Sequence, residues 1–325
     1  MTAQYSKEIK KVILAKKDSL GIAGEIKSIK ISEVGIGENN LNMLAVVNGK
    51  HKLLFRIAMR AHLEKNMKKE FETLKLIPEC FGPEPIYLDG SKNILPKTYS
   101  VLRYIKGKHI KRWTDRHLKM HAKKLAQLHK RKYPYFGTLT KKTTRFDMYK
   151  LLLKEIRAYR KDCPELFEDH DINLLLPKIK RYIKEHNILF TSLRQSSLTH
   201  SDICITNILF TKKGIRYIDW EHAKFWDNAV DVAMIFDPDT AQPPWKIKLT
   251  DRQSELYLNT YLRYIKDKTL KERVQVWTTY LKCTDMLFLK WKVMRYDKEP
   301  VKALPKKHYA KCAENVVKSI KKKFY

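Results

Sequence analysis

The residues with the greatest chemical potential lie in one short stretch, Leu198-Thr199-His200-Ser201-Asp202-Ile203-Cys204-Ile205-Thr206-Asn207, and at Asp219, twelve positions after Asn207. A carboxylate, an amide and a second carboxylate at this spacing suit phosphoryl transfer. One acid can orient an attacking hydroxyl, and the other two groups offer oxygen ligands to a Mg²⁺ ion bridging the phosphates of ATP. The apolar runs Ile208 to Phe210 and Ile215 to Ile218, on either side of Lys212-Lys213-Gly214, predict a hairpin that carries Asp219 behind that loop.

The elements that position these residues can be read from hydrophobic period and turn chemistry. Residues 1–20 predict a helix with Ile9, Val12, Ile13 and Leu20 as its apolar stripe. Strands follow around Ile26 to Ile31, Met43 to Val47 and Leu53 to Ile57. The last two are joined by Asn48-Gly49, a pair that tolerates the positive φ of a type I′ turn. A helix over Leu63 to Ile77 and two further strands, Pro85 to Leu88 and Tyr99 to Ile105, complete a five-strand, one-helix insertion pattern. From Lys108 onward the period is helical, with the hairpin as its one expected interruption. Five scattered cysteines without a C-x-x-C pair read as reduced thiols.

The motif His200-x-Asp202-x-x-x-x-Asn207 with Asp219-Trp220 resembles the signature of the aminoglycoside phosphotransferase and choline kinase-like superfamily. Gly37-Glu38-Asn39-Asn40, Phe55-Arg56-Ile57, Leu102 to Gly107, Leu125-Ala126-Gln127-Leu128-His129 and Asp231-Val232-Ala233 fall in that family's order, so the resemblance covers almost the whole chain. It implies a bilobal α+β protein-kinase-like fold. An antiparallel N-lobe over residues 1–101 would be joined by a connection at 102–107 to a mostly helical C-lobe over 108–325, with ATP between the lobes. It implies Asp202 as the catalytic carboxylate, His200 as a brace of its loop, and Asn207 and Asp219 as Mg²⁺ ligands. The Gly35 to Asn40 segment, with Gly35, Gly37 and Asn40, would cover the phosphates. Arg56 stands at the family's third-strand Lys or Arg, with Glu70 as its helix partner and Glu72 as a rival. Arg103, Tyr104 and Ile105 would hold adenine through backbone groups. Ser201 departs from the Gly often found there, and Arg103 from a common acid.

Plainer roles compete for several residues. His129 reads as a packing residue, Asp231 as a structural acid tying down the catalytic loop, and His117 and His121 as solvent-facing among lysines. The role of Glu221 stays open between metal, substrate and structure. Asp219-Trp220 in place of D-F-G, and no A-P-E after it, argue against a protein kinase.

Charge bears on the acceptor. The chain has 67 Lys and Arg against 35 Asp and Glu, a net charge of +32, and between Arg103 and Arg145 it has 15 basic residues and one acid, Asp115. Such a field repels polycations and attracts polyanions. The resulting expectation is a cytoplasmic kinase, without a transmembrane segment, acting on an RNA hydroxyl, possibly of tRNA. Tyr104, Trp113, Tyr133, Tyr135 and Phe136 would be available to stack on bases or to fill a core. The alternatives are a small-molecule alcohol (a sugar, amino alcohol or other metabolite) as acceptor, a lipid head group at a membrane surface, or a non-catalytic RNA-binding domain.

Overall fold

The computed structural model describes residues 2–36, 40–236, 248–298 and 304–325. Helix α1 (Thr2–Ala15) precedes strands β1 (Ile29–Ile36), β2 (Asn40–Val47) and β3 (His51–Ala58), helix α2 (Ala61–Leu74), and strands β4 (Pro85–Asp89) and β5 (Tyr99–Arg103). Then come α3 (Asp115–His129), the two-residue strands β6 (Lys132–Tyr133), β7 (Phe136–Gly137) and β8 (Lys142–Thr143), α4 (Met148–Asp162), α5 (His170–Glu185) and the single turn α6 (Ile188–Thr191). Strand β9 (Ser196–Thr199) leads to the hairpin β10 (Ile208–Thr211) and β11 (Gly214–Tyr217). The chain continues through β12 (Lys224–Trp226), α7 (Ala229–Ile235), α8 (Asp251–Leu262), α9 (Leu270–Arg295) and α10 (Lys306–Phe324).

The chain divides into two compact units, Met1–Lys108 with Ile208–His222, and His109–Asn207 with Ala223–Tyr325. The β10–β11 hairpin therefore belongs to the first unit, whereas the linear reading grouped it with the helical half. The first unit is built on an antiparallel sheet of order β1-β2-β3-β5-β4. Alternation along β2 buries Met43, Ala45 and Val47, and Ile9, Val12 and Ile13 of α1 join the same apolar cluster. Asn48 and Gly49 both have positive φ, 52° and 66°, as a type I′ turn requires. The Asn48 side chain also ties the chain leading into β1 to the turn. Its Oδ1 accepts from the amides of Lys27 (2.8 Å) and Ser28 (3.0 Å), and its Nδ2 donates to the Glu25 carbonyl at 2.7 Å.

The second unit is mostly helical, and the hairpin is not the only interruption of the helical pattern after Lys108. A second sheet of order β6-β9-β12-β7-β8 runs through it. Strands of two to four residues are too short to display a period of two, so the sequence pattern passes over them. Trp113 and Phe136 are buried, and Tyr133 and Tyr135 pack edge-on against Phe225 with ring centroids 4.6 and 5.0 Å apart. These four rings of the basic stretch serve packing. Beneath the sheet, Asp227 accepts from Arg273 Nε at 3.1 Å and Trp277 Nε1 at 2.7 Å, and Arg273 reaches Asp267 at 2.7 Å. Burial works against the guanidinium charge, yet the two carboxylates hold its pKa above the ordinary value.

His121 was expected in solvent and is fully buried. Its position on the same face of α3 as Leu118, Ala122 and Leu125 turns it inward, where Nδ1 lies 2.9 Å from the Tyr257 hydroxyl and the ring meets Trp113 edge-on. Burial, chiefly, pushes its pKa down to about 3; Asp231 opposes the shift, while His129 and His200 add to it. All five cysteines are free thiols, and no helix among the described residues is long and apolar enough to cross a membrane.

A histidine that is neutral when folded binds its proton on unfolding at any pH between its folded and unfolded pKa values. Its contribution is therefore fully present above the ordinary pKa near 6.5 and is lost as pH falls toward 3. In His121→Phe, urea unfolding from pH 7 down to pH 4 should show a shallower acid-side loss of stability, by up to about 1.4 kcal/mol per pH unit. An unchanged slope would contradict the buried neutral imidazole.

Candidate active site

In the second unit, β9 delivers the chain to His200-Ser201-Asp202, and one buried carboxylate holds it there. Asp231 Oδ2 accepts from the His200 amide at 2.8 Å and from His129 Nε2 at 3.0 Å, while Oδ1 accepts from the Ser201 amide at 2.7 Å. Asp231, His129 and His200 have no exposed surface. The His200 amide is thus held by Asp231, and His129 is more than packing. Its Nδ1 lies 2.7 Å from the Tyr261 hydroxyl, which in turn accepts from Asn228 Nδ2 at 2.8 Å. Asp231 matches the structural role read from the sequence. The links through His129 and Tyr261 lacked a sequence signal, since those two residues stand 132 positions apart.

Ser201 has φ 61°, in the left-handed region, which explains why glycine suits this position. Serine stays there with its amide on Asp231 and its hydroxyl 2.8 Å from that of Thr199. The loop then turns through a short 3-10 segment, Ile205–Asn207. Asn207 Nδ2 donates both to the Asp202 carbonyl at 2.9 Å and to Asp202 Oδ2 at 2.8 Å. Asn207 Oδ1 has no hydrogen bond among the described residues. One amide therefore orients the candidate catalytic carboxylate with its donor end and presents an oxygen at its other end. A hard divalent cation takes such an oxygen, so the residue fits a Mg²⁺ ligand.

In the first unit the corresponding center is Arg56 on β3. Its Nη1 donates to Glu70 Oε1, and its Nη2 donates to Asp219 Oδ1 at 2.8 Å. Glu70 of α2, and not Glu72, is the partner; Glu72 lies on the surface with Lys75 at 2.8 Å. Glu70 Oε1 also accepts from the Trp220 amide at 3.1 Å. The guanidinium fork suits this bridge because it offers separate N–H groups to two acids, which a lysine point charge does not. Burial opposes the Arg56 charge, but Glu70 and Asp219 raise its pKa and keep it protonated. Asp219 has φ 65°, a left-handed turn that lets Trp220 sink fully into the core while the Asp219 side chain keeps 38% of its surface exposed. An accessible carboxylate fits a metal ligand. Glu221 stands close enough for its charge to act on Arg56 and Glu70, and the Lys69 ammonium reaches its carbonyl at 3.4 Å.

The remaining predicted contacts are dispersed. Gly35 pairs with Asn42 beside a bulge in β1, Asn40 is buried at the start of β2, and Gly37 lies outside the described residues, with Glu38 and Asn39. The Arg103 amide donates to the Glu84 carbonyl at 2.9 Å and the Tyr104 amide to the Lys52 carbonyl at 3.1 Å, so both are engaged within the sheet. The Arg103 side chain pairs with Glu84 at 3.1 Å. The backbone N–H and C=O of Ile105 have no hydrogen bond among the described residues. The connection is also pinned to the hairpin. Lys108 and Phe210 exchange two backbone hydrogen bonds, and a Cβ on Gly107 would stand 2.9 Å from that of Leu209.

A family model described as the phosphotransferase enzyme family matches residues 30–277. The LicA homolog of Metamycoplasma hominis is 24% identical over 148 residues, 46% of this chain and 49% of that protein, so the match spans about half the length of that curated relative. Among solved structures, the GDP complex of aminoglycoside 2′-phosphotransferase-IIIa aligns over 100% of this chain and 99% of its own, with TM-score 0.65 and 14% identity. Choline kinase from Cryptosporidium parvum aligns over 97% and 95%, with TM-score 0.60 and 18% identity. An ADP-bound aminoglycoside phosphotransferase, APH(2″)-Ib, aligns over 94% and 95%, with TM-score 0.59 and 14% identity. The fold is protein-kinase-like and α+β, as expected. The RNA acceptor expected from net charge is not supported, and the similarities favor the small-molecule alternative. Net charge describes the far field, whereas a ligand pocket is governed by groups within a Debye length of about 8 Å.

Replacing Ser201 separates strain from bonding. Ser201→Ala and Ser201→Gly both remove the hydroxyl, but only glycine relieves the left-handed conformation. Ser201→Gly should therefore unfold at higher urea than Ser201→Ala, by about 1 kcal/mol. Equal midpoints would mean the loop relaxes out of that conformation.

Proposed function

The chain belongs to the phosphotransferase enzyme family, and from that premise we propose that it moves the γ-phosphate of ATP to the hydroxyl of a small-molecule alcohol, of the amino-alcohol or sugar type. The supporting observation is the Asp202 and Asn207 pair. The Asn207 amide holds Asp202 by one hydrogen bond to its carboxylate and one to its backbone carbonyl and keeps an oxygen available, so a single side chain joins the acid that meets the acceptor to the ion that meets the phosphates. Asp202 orients the acceptor hydroxyl and receives its proton as the oxygen attacks phosphorus.

Asn207 and Asp219 are the assigned magnesium ligands, each offering the oxygen type that ion takes. Magnesium, when bound, neutralizes charge on the phosphate oxygens and so lowers the barrier to displacement. Arg56 holds Asp219 in place and is itself held by Glu70. It acts as a positioning residue for the metal ligand and adds positive charge where phosphates are bound. The Gly35 to Asn40 segment is assigned to the phosphates. The backbone groups of Ile105, without internal partners among the described residues, are assigned to the edge of adenine.

Incubation with γ-labeled ATP and Mg²⁺ against choline, ethanolamine, amino sugars and RNA in parallel tests the reading. Label should enter a small-molecule pool. Asp202→Ala should lower kcat by about three orders of magnitude while nucleotide binding persists, and Asp219→Asn should raise the Mg²⁺ concentration needed for half-maximal rate. Turnover that survives Asp202→Ala, or label entering RNA alone, would overturn the assignment.

A further inference from the structure

Away from the groups described so far, the second unit contains a cavity of about 380 Å³ lined by α8, α9, α10 and Phe236. That volume is within the range of small-molecule sites. Much of the wall is apolar, with Leu258, Val274, Ile320 and Phe324 contributing to it. The charged side chains that line it among the described residues are all cations: Lys271, Lys282 and Lys323.

These lysines are held in place by neighboring groups. The Lys323 ammonium donates to Thr279 Oγ1 and lies 3.8 Å from the centroid of the Tyr182 ring, while the Lys282 ammonium donates to Ser319 Oγ. Although Lys323 is exposed as a residue, burial around its ammonium and, second, the charge of Lys282 push its pKa down to about 8. Two ammonium groups are thus kept close enough to oppose each other beside an apolar hollow. Among the acids on neighboring helices, Asp171 pairs with Lys290 and Lys321, and Glu314 with Lys311.

We propose that this cavity binds an anionic amphiphile, with one alkyl chain along the apolar wall and a carboxylate or phosphate head at Lys282 and Lys323. Charge complementarity selects the head, since an anion relieves the mutual repulsion of the two cations and gains charge-assisted hydrogen bonds. Hydrophobic burial selects the chain. The site is independent of Asp202, Asn207 and Asp219, so it stands or falls separately from the catalytic reading.

Isothermal titration of the intact chain with sodium dodecanoate, and separately with dodecyl phosphate, both below micelle-forming concentrations, tests the proposal and identifies the preferred head. At least one should bind saturably at one per chain. Affinity should fall about tenfold or more in the Lys282→Met/Lys323→Met double variant. The same loss is expected in Ser254→Trp, which adds bulk to the cavity wall and keeps both lysines in the sequence. Dodecyltrimethylammonium, with the same chain and the opposite charge, should not bind at this stoichiometry. Circular dichroism confirms that each variant is folded, and the two variants act by different means. Absence of saturable binding by either anion, equal affinity in wild type and both folded variants, or equal binding of the cationic amphiphile would overturn the proposal.

Discussion

Asp231 is the constraint on which the loop from His200 to Asn207 depends. A carboxylate with no exposed surface would be untenable alone, and here it is satisfied by three N–H donors, two of them from the loop backbone. Those two bonds hold consecutive amides of His200 and Ser201, which is possible because Ser201 adopts a left-handed conformation. The chain leaving that kink is then aimed through Asp202 to Asn207. The third donor is assigned by the surrounding network. Asn228 donates to the Tyr261 oxygen, which leaves the Tyr261 proton for His129 Nδ1, so His129 carries its own proton on Nε2 and gives it to Asp231. Helices α3, α7 and α8 are thereby joined to one short loop by directional bonds.

The first unit solves a similar problem with the opposite sign. Arg56 is a buried cation on a rigid central strand, and its planar fork collects Glu70 from α2 and Asp219 from the turn after β11. Breaking such a pair by removing one partner is far more damaging than the net worth of the bond, because the remaining charge is stranded. Asp219 is therefore held from behind by Arg56, while over a third of its side-chain surface stays exposed. Trp220 secures the same turn, with its ring nitrogen donating to the Tyr217 carbonyl at 3.0 Å. In both units the proposed site residues are short extensions of buried, hydrogen-bonded ionic groups.

Features whose cause is local were legible in the sequence. Asn48-Gly49 declares its turn because only certain residues accept positive φ, and the His200 to Asn207 motif stands out as a unit because its members share one loop. Glu70 was separable from Glu72 only by the face of α2 that meets Arg56. The Tyr261, His129 and Asp231 chain is long-range, and no local pattern announces which tyrosine meets which histidine. The short strands β6, β7 and β8 lack the length to reveal an alternating period. His121 was misjudged because lysines flank it in sequence, while its helical face neighbors are Leu118, Ala122 and Leu125. The RNA acceptor expected from charge lacks support for a related reason: a sum over 67 basic and 35 acidic residues says little about the few that line a pocket.

The central claim is that a buried carboxylate sets the position of the loop that carries Asp202, the proposed catalytic carboxylate. Its most direct test is the single-turnover rate of phosphoryl transfer in Asp231→Asn, measured beside nucleotide affinity in the same folded protein. The substitution preserves shape but replaces one acceptor oxygen with a donor, so the backbone of His200 or Ser201 loses its partner. The account predicts a rate lower by about a hundredfold with nucleotide Kd nearly unchanged, the signature of misplacement at the reacting atoms. A rate within a factor of about two of wild type would contradict it.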